Sequence, residues 1–228
     1  MNKYIIGIID EDNEDIDYIK RTIFINKPEN VSDAQVDFKE YTLDAASDSL
    51  TDEIVNSAIE DIIEANIQAL IVDYKIIVSS TLLEGTEIFK RITNIVSKFP
   101  IIILSNVPGD CYSKEFVDAD KVYSKTNFFK VEEDYSKEKT LNIFRNMDNY
   151  VSQRAKLSTQ LSTQLSALTN DEYSEENLKA IVETEALLDA FYPQDQSSVE
   201  KALDESDLKG AVELLEQVKG LLGGENED

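Results

Sequence analysis

Four short runs of aliphatic, largely β-branched residues constrain this chain more than any other feature: residues 4–9, 69–72, 101–104 and, less strongly, 121–124. Their length suits buried strands. Helical spacing fills the gaps between them, over residues 16–24, over 53–65 with Ile54, Ala58, Ile62 and Ala65 on one face, and over 87–99 with Ile88, Ile92, Ile95 and Val96. A fifth, partly polar strand fits residues 35–42. Strands that are apolar throughout and alternate with helices imply a parallel sheet covered on both faces. Residues 1–132 are therefore expected to form one α/β domain, a doubly wound five-stranded parallel sheet.

The strand pattern ends near Asp134, and from there to Leu222 the pattern is helical. A connecting helix is expected over residues 133–170. No Pro or Gly interrupts its span from 134 to 168, which at ~1.5 Å per residue gives ~50 Å, too long to stay packed on a domain of ordinary size. Phe144, Met147, Val151, Leu161, Leu165 and Leu168 follow a heptad-like series, with Arg154 and Ser158 at two inward positions, so coiled-coil pairing is weakly specified. The far half is expected to pair with a second copy or to fold against later helices of its own chain. Residues 171–228 form an acidic helical region: a helix capped by Asn170 or Asp171 and ended before Pro193, further helices over 199–222, and a disordered tail over 225–228.

Composition narrows the function. With 46 acids, 22 bases and a net charge of −24, the surface repels a phosphate backbone, so nucleic acid is not an expected partner. Residues 171–228 hold 17 acids and 4 bases, without the basic recognition helix of a DNA-binding module. The chain has no histidine and one cysteine, Cys111. That excludes zinc hydrolases, Ser-His-Asp enzymes and phosphohistidine donors, and it allows no internal disulfide. No apolar run reaches the ~18 residues of a membrane span, and residues 1–9 do not form a signal peptide. A cytoplasmic protein that binds no membrane is expected.

In an open parallel sheet, ligands bind beyond the carboxyl ends of the strands. Here those ends carry Asp10-Glu11-Asp12, Asp73, Ser105 and Lys125. Converging carboxylates repel one another unless a cation joins them, and a hard divalent ion with oxygen ligands, magnesium first, answers that need. A lysine at the last strand end and a hydroxyl at the fourth would suit a phosphoryl group held beside the metal. Plainer readings stand beside this one. Asp10, Glu11 and Asp12 could be a solvated turn favoured by a helix N-terminus, Asp73 a strand-ending cap, and Lys125 a surface charge like Lys121 and Lys130. Cys111 is assigned to packing.

The motifs Ile-Ile-Asp10-Glu11-Asp12, Leu-Ile-Val-Asp73, Ile-Ile-Leu-Ser105 and Val-Tyr-Ser-Lys125, in this order, resemble the receiver domain of bacterial two-component response regulators over residues 3–130. The resemblance implies a flavodoxin-like sheet of order 2-1-3-4-5. It also implies Asp73 as phosphoacceptor, and Mg2+ held by Asp10, Glu11, Asp73 and the backbone carbonyl of Lys75. Ser105 and Lys125 would contact the phosphoryl group. The implied partners are a histidine kinase or phosphotransfer protein, a protein target of the helical region and a second copy of the chain. The implied activity is that of an acceptor with slow intrinsic phosphotransfer and autodephosphorylation, not of an enzyme in the ordinary sense.

Several positions depart from the family pattern. The glycine expected eight residues after the phosphoacceptor stands twelve after it, as Gly85, so the loop after Asp73 is enlarged. The span from Asp10 to Asp73 is long, which places an insertion around residues 26–33 or 43–50. Thr126 follows Lys125 where proline is usual. The aromatic switch position, three before the lysine, is Val122, and the adjacent Tyr123 should face the other side of its strand. Three functions are consistent with this: a response regulator signalling through its helical region, a phosphoryl relay or buffer without an output of its own, and a pseudo-receiver scaffold that is not phosphorylated.

Overall fold

The computed structural model describes residues 3–43, 49–78, 81–112, 117–169 and 175–191. The expected helices over 199–222, the tail, the caps Asn170 and Asp171, and most of the 43–50 segment lie outside the described residues.

Strands β1 (Tyr4–Ile9), β2 (Val36–Glu40), β3 (Ala69–Asp73), β6 (Ile101–Ser105) and β7 (Val122–Ser124) form one sheet in the order β2-β1-β3-β6-β7. Every pairing in it is parallel. The central strands β3 and β6 are buried at all five residues, which is why they read as unbroken apolar runs. The edge strand β2 mixes buried and exposed positions, hence its polar content. On one face, Ile6, Ile8, Ile71, Ile102 and Leu104 share a core with Ile16, Ile19 and Ile23 of α1 (Asn13–Asn26) and with Ile143, Phe144 and Met147 of α6 (Asp134–Thr169). Helices α2 (Leu50–Ile63) and α3 (Gly85–Thr93) pack on each other, and α3 lies against β3 and β6.

Three local features were not expected. The enlarged loop after Asp73 is an antiparallel hairpin of β4 (Lys75–Val78) and β5 (Thr81–Glu84), a separate two-stranded sheet. The helix expected over 87–99 ends at Thr93; Val96 and Phe99 are still buried, but from turns that lead into Pro100. Short helices α4 (Pro108–Tyr112) and α5 (Lys125–Phe128) follow β6 and β7. At the other candidate insertion, residues 27–32 form a loop that a short 3-10 turn, Asp33–Gln35, joins to β2.

Helix α6 runs unbroken for 36 residues. The chain nevertheless divides into two compact units within it, between Ala155 and Lys156. In the first unit, Arg154 donates to the carbonyls of Ile62 (3.1 Å) and Ile63 (2.9 Å). The charge at that inward heptad position thus answers the last carbonyls of α2, whose own final turn has no basic residue. In the second unit the remainder of α6 packs with α7 (Glu175–Asp189) through buried Leu161, Ile181 and Leu188, and Gln160 donates to the Thr184 hydroxyl at 3.0 Å. No helix among the described residues is long and apolar enough to cross a membrane.

Candidate functional site

The carboxyl ends of four parallel strands deliver the site. Asp10 follows β1, Asp73 ends β3, Ser105 ends β6 and Lys125 follows β7. All four are buried. With Glu11, Asp12 and Lys75 they line a single cleft of about 200 Å³, so the seven site candidates named from the sequence meet in one place. Glu11 and Lys75 stand at its exposed rim.

The cleft is organised around one ammonium. Lys125 Nζ lies 2.9 Å from Asp10 Oδ2, 2.6 Å from Asp73 Oδ1 and 2.5 Å from Asp15 Oδ2. Backbone amides hold the remaining oxygens of the two buried acids: Asp12 N–H donates to Asp10 Oδ1 (3.0 Å) and Lys75 N–H to Asp73 Oδ2 (2.8 Å). Burial pushes both carboxyls above the usual carboxylate range, against the pull of Lys125. Burial also works against the Lys125 charge, but Asp15, Asp73 and Asp10 outweigh it and hold the lysine above its ordinary value. Three acids share one base, so carboxylate remains in excess whichever pair is considered.

Of the plainer readings, the cap applies in part to Asp73, whose Oδ2 accepts from Lys75 N–H as the strand ends, and the helix-start turn applies to Asp12. Its Oδ1 accepts from Glu14 N–H at 2.8 Å and starts α1. Asp10 is instead a buried ion-pair partner, as is Lys125, which is no surface charge. The Ser105 hydroxyl accepts from Val107 N–H (3.0 Å) and stands beside the Cys111 thiol, which burial pushes upward. Sequence reasoning passed over Asp15. The signal was there: Asp15 lies in the first turn of a helix that starts at a strand end, three residues after the capping Asp12, and both line the cleft.

The hairpin keeps the spacing problem local. It leaves after Asp73 and returns to place Gly85 N–H on the Tyr74 carbonyl at 2.8 Å. A Cβ at Gly85 would come within 2.1 Å of the Asp73 carbonyl oxygen, so this backbone approach requires glycine. Val122 is buried, and the buried Tyr123 ring packs toward Phe128 (6.2 Å) with Lys139 Nζ 5.1 Å from its centroid. Tyr123 is therefore built into the core beneath α6.

A hard divalent cation suits this donor set in charge and in chemistry, since the groups are oxygens and the acids outnumber the base. The carboxylates as they stand close on Lys125, and among the described residues no three His, Cys, Asp or Glu side chains form a group able to hold a metal ion. No protein-family model matches this chain, and no curated protein matches it by sequence.

Proposed function

We propose that this protein is a phosphoacceptor of the receiver type, taking a phosphoryl group on Asp73 from a histidine kinase or phosphotransfer protein and signalling through its helical region to a protein target. One observation carries the reading: two buried aspartates, a buried hydroxyl and a buried lysine from four strand ends line one cleft, with the lysine on both aspartates. A carboxylate oxygen of Asp73 would form the new O–P bond while the donor's P–N bond breaks and the imidazole leaves with that electron pair and takes up a proton. Lys125 then exchanges part of its contact with Asp73 for the phosphoryl oxygens, and Ser105 offers a hydroxyl hydrogen to them. Asp10, Glu11, Asp73 and the Lys75 carbonyl would hold Mg2+, whose positive charge would offset the negative charge of the acids and of the incoming phosphoryl group. The flavodoxin-like form belongs to the same proposal: with the hairpin counted as an insertion, β2-β1-β3-β6-β7 becomes the order 2-1-3-4-5. So do the ending of the receiver-like part near residue 132, with residues 133–170 as connector and 171–228 as acidic helical region, a cytoplasmic location, and a homodimer.

A second reading, the pseudo-receiver scaffold, is favoured by the closure of the acids on Lys125 and by Val122 at the switch position. A relay or buffer without its own output shares the chemistry of the first. Incubation with a small acyl phosphate and Mg2+, followed by intact mass measurement, separates them. One labile phosphoryl group, absent in Asp73→Asn, is the expected result. No gain, or phosphate on a serine or threonine, favours the scaffold. Transfer onward to a second histidine-bearing carrier identifies a relay.

A further inference from the structure

At the opposite end of the sheet from the acids lies a second polar cleft of about 230 Å³. Lys98 stands just before β6 and Lys121 just before β7, at the amino ends of those strands. Across from them Asn146, Asn149 and Gln153 project from α6 at spacings of three and four, which put them on one face of the helix. Tyr150 of the same face closes the floor, its hydroxyl donating to the Phe191 carbonyl at 3.0 Å and its ring 5.5 Å from that of Phe191. The segment after α7 is fixed there by Lys98 N–H on the Ala190 carbonyl at 2.9 Å.

The chemistry of this cleft is the reverse of the rest of the protein. Acids make up 46 of 228 residues, yet among the described residues none lines it. Among the described residues neither the Lys98 nor the Lys121 ammonium has an ion-pair partner, whereas most other lysines near the sheet do. Among the described residues the three carboxamides likewise make no side-chain hydrogen bond. Two uncommitted ammoniums facing three uncommitted amide groups form a donor set for a small molecule with several anionic oxygens. In a chain of charge −24, such a place concentrates anions that the remaining surface repels. An extended polyanion would meet that repulsion, so the occupant is small.

We propose that this cleft is a binding site for a small multiply charged oxyanion, a phosphate-bearing or polycarboxylate compound, separate from the acidic cleft. The test is calorimetric titration of the full chain with inorganic phosphate and, in a second arm, with citrate, both at constant ionic strength. One saturable site is expected. Lys98→Gln with Lys121→Gln should weaken it at least tenfold, Asn149→Asp should weaken it by placing a carboxylate among the donors, and Lys3→Gln should not change it. Saturation by phosphate alone identifies a phosphoryl-type ligand and by citrate alone a carboxylate. Absence of saturable binding in both arms, or binding that survives the double variant, overturns the proposal.

Discussion

Lys125 holds the acidic cleft together with one charge for three carboxylates. Replacing it with methionine leaves Asp10 and Asp73 buried without a counter-charge, a change that costs about 3–5 kcal/mol where a buried pair is broken. Urea unfolding at neutral pH should show that loss, and it should shrink as the pH falls and the two acids take up protons. Asp10 itself gives the opposite sign. Its folded pKa is raised by burial, so the folded state binds its proton more tightly than the unfolded chain. That contribution to stability is fully present below the unfolded carboxyl pKa, about 4, and is lost as the pH rises through the folded value. Asp10→Asn should therefore melt higher than the wild type at pH 7 without divalent cation, with the difference closing below about pH 4. A lower melting temperature for the variant at pH 7 would mean that the Lys125 pairing outweighs desolvation. Mg2+ at millimolar concentration should narrow the same gap by stabilising only the wild type.

At the scale of elements, α2 is fastened at its end by devices that local sequence rules do not reveal. Buried Asp61 accepts from Lys39 Nζ (2.6 Å), the Tyr41 hydroxyl (2.8 Å) and Asn66 Nδ2 (3.1 Å), tying the helix to β2 and to the turn beyond it. Burial alone would raise the Asp61 carboxyl, but those three donors bring it below its usual value. The stability it lends is present above the unfolded carboxyl pKa and lost as the pH falls through the lower folded one. Asp61→Ala should cost about 2–3 kcal/mol at neutral pH, seen in urea unfolding, because it strands a buried tyrosine hydroxyl as well as the charge-assisted bonds. Two residues past the helix, Ala65 takes a positive φ of 61°, a conformation that favours glycine. Ala65→Gly should raise stability by about 0.5–1 kcal/mol, the relief of the left-handed conformation exceeding the entropy of a freer unfolded chain.

For the whole molecule, the division within α6 makes a direct prediction. A chain ending at Ala155 keeps Ile143, Phe144, Met147 and the Arg154 cap, and loses the contact of Phe191 with Tyr150. It should fold cooperatively and melt lower than the full chain in circular dichroism, while remaining competent for phosphorylation. A fragment that fails to fold would place the boundary further along. With acids outnumbering bases two to one, the full chain should show no specific duplex DNA binding in a shift assay.

The amino-acid sequence alone was enough to define the parallel sheet, because strands buried on both faces are built from apolar residues, and residues 69–72 and 101–104 are apolar at every position and buried in the structure. It also determined which residues stand at the strand ends, since a charge directly after such a run has nowhere else to go. What it left open depends on contacts distant in the chain. That the twelve-residue step from Asp73 to Gly85 is a hairpin, that Asp15 joins Asp10 and Asp73 on Lys125, and that Arg154 caps a helix some ninety positions earlier are outcomes of packing. Short-range periodicity describes how a segment divides between water and core; which distant carbonyl or carboxylate a side chain meets is set when the elements pack together.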